Sequence, residues 1–325
     1  MRLCDLEDSY IWGKDIFNLA DLGYRDTLIH DGWLAANTIS EVMDTYMDKI
    51  VGDTVFSVYG RQFPIQMKRI VCNGKMPLRV HPDDETADSR YDALGREKLW
   101  YVAKASQDAS LILGFAHDMD AQQLLAHVEN GTIEEDLNYV KPKAGTAYRI
   151  KPGIVHGAAG EIEIIEVSQA SALDFCVFPW GQELGAEEFD SGLTLIDALD
   201  FIEYRAIGAE LCDRKKVGKG VYELLNLPQF IVNKIELDDA LRISSEKTDT
   251  FALYQCLYGK VRIKASIDGE ESEIVMEPGH TVLMPAEVSE YILEPAEHPT
   301  ALIEALGQTV IQEEFPPLED NDNEQ

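Results

Sequence analysis

Basic residues are scarce in this chain. Its 325 residues include 28 lysines and arginines against 59 aspartates and glutamates, a formal net charge of −31. Such a field repels phosphate backbones and anionic membrane surfaces, which argues against nucleic-acid and membrane partners. An anionic small molecule is bindable only through a local basic cluster that works against the global field. Cysteines are also few. Cys4, Cys72, Cys176, Cys212 and Cys256 are odd in number and share no C-x-x-C spacing, so reduced thiols in a cytoplasmic setting are expected. No apolar run approaches the ~18 residues of a membrane span, and the start Met1-Arg2-Leu3-Cys4-Asp5 has no apolar signal core. Histidine is missing between residues 157 and 279, which denies the second half of the chain a histidine metal site.

What is present is a globular composition, 45% hydrophobic and 27% charged, in a chain long enough for two domains with a sizeable core. The organising stretch is Pro77-Leu78-Arg79-Val80-His81-Pro82-Asp83-Asp84-Glu85. Its alternation reads as a strand ended by a proline, with Arg79 and His81 on one face and Leu78 and Val80 on the other. Asp83-Asp84-Glu85 then reads as a turn and helix start. Further strands are expected over Gln66 to Cys72, Lys98 to Val102, Ser110 to Phe115, Thr146 to Ile150, Glu161 to Val167 and Phe175 to Phe178. A helix is predicted from Thr38 to Ile50, and helical structure broken near Gly131 over 119–138. Residues 181–216 read as a helical connector with Leu193, Ile196, Leu199 and Ile202 on one face. Strands return at barrel-like spacing over 217–312, and 313–325 form an acidic tail.

There is an internal echo. Lys143 to His156 and Glu277 to Ala286 both lead from a glycine turn into a short strand and a proline corner. Counting from Gly145 and Gly279, the position matching His156 is Glu290. This pattern predicts a mainly β bicupin, two tandem jelly-roll barrels with a few accessory helices. The expected layout is an active-site barrel over 1–180, the connector over 181–216, and a non-metal, structural barrel over 217–312.

Met76 to Glu85, Gly95-Arg96-Glu97-Lys98-Leu99-Trp100-Tyr101, Ile112-Leu113-Gly114-Phe115 and Pro152-Gly153-Ile154-Val155-His156 resemble the type I mannose-6-phosphate isomerases of the short bacterial kind. In the second half Tyr254, Gly259 and Gly279 to Ala286 extend the resemblance, which spans roughly residues 10–310. It implies interconversion of mannose 6-phosphate and fructose 6-phosphate at a zinc ion in the first cupin. Position by position, the family's Gln-x-His-Pro falls on Arg79-Val80-His81-Pro82, so one histidine ligand matches and the glutamine has become Arg79. The ligand glutamate has become Lys98, with Glu97 one place earlier, and the last histidine is His156. The family's active-site arginine falls on Cys176, while a basic residue survives as Arg96 and an inward lysine as Lys68.

Arginine offers no lone pair, and lysine ligates only when neutral, against a reference pKa of ~10.4. Catalytic zinc usually keeps about three protein ligands. Two cations in place of two ligands therefore predict a site without a cofactor that takes a sugar phosphate or related anion through Arg79, Lys98, Lys68, Arg96, His81 and His156. A β-bulge that turned Glu97 inward would instead complete a zinc site with His81 and His156 and allow an active isomerase. A third reading pairs Arg79 and Lys98 with buried carboxylates such as Glu166 in a closed ion-pair network, as in a structural or partner-binding bicupin.

Overall fold

The computed structural model describes residues 1–182, 193–207, 210–244, 248–267 and 269–308. The acidic tail at 313–325 lies outside the described residues, as do 183–192 and 208–209 of the connector. In chain order the strands are β1 (Leu6–Tyr10), β2 (Gly13–Leu19), β3 (Ile65–Cys72), β4 (Leu78–Val80), β5 (Lys98–Ala105), β6 (Ser110–Phe115), β7 (Leu137–Val140), β8 (Ala147–Ile150), β9 (His156–Ala159), β10 (Ile162–Gln169), β11 (Phe175–Phe178) and β12 (Glu210–Leu211). The second half adds β13 (Lys215–Lys216), β14 (Val221–Asn226), β15 (Phe230–Glu236), β16 (Leu241–Ser244), β17 (Ala252–Tyr258), β18 (Val261–Ile267), β19 (Glu270–Met276), β20 (Thr281–Met284), β21 (Glu290–Pro295) and β22 (Ala301–Gly307).

Four antiparallel sheets result, and their order is a repeat. The first half forms β1-β2-β3-β10-β5-β8-β12 and β11-β4-β9-β6-β7; the second forms β13-β14-β15-β22-β17-β20 and β16-β21-β18-β19. Each second-half strand thus occupies the place of a first-half strand, and β21 begins at Glu290 as β9 begins at His156. The faint glycine-to-proline echo marks a full topological repeat of the bicupin kind.

The repeat extends to register. On β10 the alternation of Ile162, Ile164, Glu166 and Ser168 sends one carboxylate onto the buried face. Glu166 lies between Lys68 of β3 and Trp100 of β5. In the second barrel Glu304 of β22 lies between Asn233 of β15 and Tyr254 of β17.

The helices depart from expectation in one place. The predicted Thr38–Ile50 helix is α1 (Ile39–Tyr46), opened by a Thr38–Glu41 capping box, followed by α2 (Asp48–Val51) and α3 (Asp53–Tyr59). Met47 breaks it with φ 50°. Rotating the chain there buries Ile50 and Val51 in the core that joins the two halves. At roughly 1.5–3 kcal/mol per buried side chain, that outweighs the ~1–2 kcal/mol cost of a left-handed residue. Gly52 follows with φ 93°, where a Cβ would lie 2.0 Å from the Asp249 carbonyl oxygen of the second half. Only glycine fits that approach.

Helix α4 (Asp84–Tyr91) is capped by Asp83, and α5 (Ala121–Asn130), ended by Gly131, follows β6; Ala87 and Leu124 bury them in one hydrophobic cluster. The helical connector expected over 181–216 is described only at 181–182, 193–207 and 210–216. Its described part holds a single helical turn, α6 (Leu195–Ala198), and the short strands β12 and β13. Of the predicted face, Ile202 is buried and Leu193 and Leu199 pack half-buried on the same core, whereas Ile196 is exposed and Leu195 and Ala198 are buried beside them.

Candidate functional site

The two sheets of the first barrel bring two rows of side chains face to face. On one wall, the row Lys68–Glu166–Trp100 runs across β3, β10 and β5, and the neighbouring row Gln66–Ser168–Lys98 lies beside it. On the other wall, Cys176 of β11 opposes Arg79 of β4, which in turn opposes His156 of β9. His81 follows β4, and its ring centroid lies 5.0 Å from that of His156. Arg79, His81, Lys98, His156, Lys68 and Arg96 are therefore gathered as the motifs predicted.

Arg96 owes its position to Gly95. A Cβ at residue 95 would lie 2.4 Å from the backbone at Asp83 and Asp84, so glycine lets the chain pass against the N-terminus of α4. Gly95 N–H donates to Asp84 Oδ1 at 3.0 Å, and Arg96 N–H donates to the Pro82 carbonyl at 3.1 Å.

Three carboxylates complete the cluster. Glu166 accepts from Trp100 Nε1 at 2.6 Å and from Arg96 Nη2 at 3.2 Å, and lies 3.3 Å from Lys98 Nζ and 3.9 Å from Lys68 Nζ. Asp15 of β2 accepts from Lys68 at 2.9 Å, and Asp174, just before β11, pairs with Arg79 at 2.8 Å. The expectation of about two unmatched positive charges is thereby corrected. Four bases face three carboxylates, leaving a surplus of one cation when Lys98 is protonated.

The protonation states follow from this packing. Burial opposes ionisation of Glu166, but Lys98, Lys68 and Arg96 hold its carboxyl well below the usual range. Burial, opposed by Glu166 and assisted by Arg96, brings the Lys98 amine down to about 7. For Lys68, Asp15 and Glu166 overcome burial and raise the pKa. Burial and then Lys98 lower His156 to about 3, and the same causes place His81 well below its ordinary value. Both imidazoles are neutral at pH 7.

Hydrogen bonds fix their tautomers. His156 Nδ1–H donates to the Ile154 carbonyl at 2.8 Å, so Nε2 accepts from Lys98 Nζ at 3.1 Å. His81 Nδ1–H donates to the Leu173 carbonyl at 2.7 Å, which leaves its Nε2 as a buried acceptor with no hydrogen-bond partner among the described residues.

This donor set does not match what a zinc ion needs. The backbone-anchored imidazoles have the orientation of metal ligands. However, Lys98 takes the His156 electron pair, Arg79 flanks it in register, and Glu166 is already engaged by three donors. Among the described residues no group of three or more histidine, cysteine, aspartate or glutamate side chains could hold a metal ion. The Glu97 alternative is also corrected. Strand β5 stays in register with β8 from Lys98 to Tyr101, and Glu97 turns away to a two-pronged pair with Arg149 at 2.6 and 3.1 Å. A slip there would break that pair and force Leu99 off its buried face. Cys176, half-buried beside Arg79, joins no disulfide.

Sequence reasoning named Glu166 only as an example and missed Asp15 and Asp174. A signal existed for Asp174, a lone carboxylate within the apolar run Ala172-Leu173-Asp174-Phe175, whereas Asp15 follows Lys14 and carries no such mark. Such a group is buried only with a cation at hand.

Two antiparallel barrels in tandem, with the polar cluster inside the first, define a bicupin. No family model matches the chain. It is 25% identical over 309 residues to mannose-6-phosphate isomerase ManA of Bacillus subtilis (strain 168), covering 87% of this chain and 92% of that protein. It is 23% identical over 208 residues to mannose-6-phosphate isomerase of Streptococcus mutans, covering 63% of this chain and 64% of the relative. A crystal structure of mannose 6-phosphate isomerase from Bacillus subtilis superposes with a TM-score of 0.79 at 17% identity, covering 94% of this chain and 98% of the other. A variant of phosphomannose isomerase from Salmonella typhimurium gives 0.73 at 12% identity over 94% and 99%. Over most of its length the chain is thus similar to mannose-6-phosphate isomerases, with which it shares the bicupin fold.

Proposed function

We propose that this protein binds a sugar phosphate or a related small anion in its first barrel, without a zinc cofactor and with little or no zinc-dependent isomerisation of mannose 6-phosphate. The observation that carries this reading is Lys98, whose Nζ lies 3.1 Å from His156 Nε2 and 3.3 Å from Glu166 Oε2. A lysine amine is covalently held where a metal would need two electron pairs. Aldose–ketose isomerisation moves a proton between neighbouring carbons of a polarised carbonyl, and both the polarising ion and the family arginine, at Cys176, are replaced. The one cation left over when Lys98 is protonated favours a phosphate, which the Arg79 guanidinium is placed to share with Asp174, and the open His81 Nε2 can accept from a sugar hydroxyl.

The Arg79–Asp174 pair at 2.8 Å favours a second reading, a closed network with no ligand. The two separate in a thermal-shift titration with mannose 6-phosphate, fructose 6-phosphate and inorganic phosphate. Stabilisation that is lost in Arg79→Ala supports binding, and no shift with any of the three leaves only the structural reading. Zinc bound at one equivalent per chain in the purified protein, measured by elemental analysis, would overturn the metal-free proposal. Conversely, Arg79→Gln, Lys98→Glu and Cys176→Arg combined should recover zinc binding and some isomerase activity.

A further inference from the structure

A cavity of about 510 Å³ opens at the mouth of the second barrel, in the size range of small-molecule sites. It lies at the end of the barrel where β21 starts, the counterpart of the His156 end of the first barrel. Its floor is apolar: Ile263 and Ile274 oppose each other across β18 and β19. One step towards the mouth the next row is Ala265 and Ser272, so the lining turns from hydrocarbon to hydroxyl along the same strands. The roof comes from the other half of the chain. Trp33, 80% exposed, stands edge-to-face against Tyr46, with ring centroids 5.7 Å apart.

The charge around this cavity selects its ligand. Among the described residues no lysine or arginine lines it, and the Met1 amine at its edge is spent on the Leu283 carbonyl at 2.8 Å and lowered by burial to about 6, so a phosphate finds no cation there at pH 7. Two carboxylates do line it, but each has its cation outside the cavity: Glu287 bonds Lys49 at 3.1 Å, and Glu290 bonds Arg242 at 2.5 Å. Their remaining lone pairs accept hydrogen bonds without demanding a positive ligand.

We propose that this cavity is a second ligand site, for a neutral saccharide stacked on Trp33 and hydrogen-bonded by Ser272 and the two paired carboxylates. An amphipathic ring with one apolar face and a rim of hydroxyls matches an indole platform, an apolar floor and a polar mouth.

Isothermal titration of the full chain with D-mannose, D-glucose and cellobiose tests this. At least one neutral sugar should bind, and Trp33→Ala should weaken it about tenfold, the equivalent of ~1.4 kcal/mol for a lost aromatic contact. Ala265→Trp, which fills the cavity, should abolish it. Neither substitution should change binding of mannose 6-phosphate, which separates this site from the first-barrel cluster. No heat with any neutral sugar, or binding indifferent to both substitutions, overturns the proposal.

Discussion

Glu166 and Glu304 are the same position of the repeat in opposite electrical settings. Glu166 is surrounded by Lys68, Arg96 and Lys98, whereas Glu304 accepts from Tyr254 at 2.6 Å and Asn233 at 2.7 Å. Burial accordingly raises the Glu304 carboxyl, and neutral partners only partly oppose it. Glutamine imitates a neutral carboxyl and not an ionised one. Glu166→Gln should therefore cost about 3–5 kcal/mol, because it leaves buried cations short of their anion. Glu304→Gln should cost roughly 1 kcal/mol, as a rearranged hydrogen bond does. Urea denaturation of both variants at pH 7 makes the comparison. Protonation of the histidines provides a second test at this scale. His81 and His156 stay neutral when folded and take up protons near 6.5 when unfolded, so the unfolded state binds more protons as pH falls and stability drops. The slope approaches ~1.4 kcal/mol per pH unit for each histidine. His156→Gln keeps an acceptor for Lys98 and should remove about one histidine's share of that slope between pH 6.5 and 5. Below that window Glu166 and Asp174, both held ionised in the folded state, add a loss of the same sign.

At the scale of elements, the break at Met47 yields a prediction whose sign discriminates. Met47 has φ 50° and ψ −120°, a region that suits glycine. Met47→Gly should raise stability by about 1 kcal/mol in urea denaturation. In an unbroken 38–50 helix the same change would lower it by about 1 kcal/mol, the ordinary cost of a mid-helix glycine. The periodicity of Ile39, Val42, Met43 and Tyr46 was legible because local spacing reports local helix. The break was not, because its cause is a core built with Phe230, Val232 and Phe251 nearly two hundred residues away. The same division runs through the site. Strands β4, β5 and β9 and their residues Arg79, His81, Lys98 and His156 lie in contiguous motifs, so alternation and resemblance found them. Asp15 lies on β2 and Asp174 just before β11, and only the sheet order β2-β3-β10 and the β11–β4 pairing bring them in. Glu97 was misplaced as a candidate for a related reason: its partner Arg149 is on β8, and the ion pair that fixes the register is invisible one strand at a time.

The whole molecule is a repeat fused through a shared core. Phe63 and Ile65 of the first half pack with Phe230, Phe251 and Leu253 of the second, and the Phe63 and Phe251 rings are 4.7 Å apart. α2 and α3 are stitched across the same junction, with Asp53 N–H donating to Asp249 Oδ2 at 3.0 Å. The two barrels resemble each other in strand order, but their cores are joined into one body, which predicts that they unfold together. Of the four tryptophans, Trp12, Trp100 and Trp180 pack within the first half and Trp33 is largely exposed at the junction, so in a Trp33→Phe background tryptophan fluorescence reports the first half while far-UV circular dichroism reports both. Phe251→Ala, made entirely within the second half, should remove about 3–5 kcal/mol through lost burial and a residual cavity. If the core is shared, the fluorescence midpoint in urea should fall along with the dichroism midpoint, and the two curves should coincide. A fluorescence midpoint left at its wild-type value while dichroism splits into two steps would mean instead that each barrel is stable on its own and that the Phe63–Phe251 contact is a seam between separate folding units.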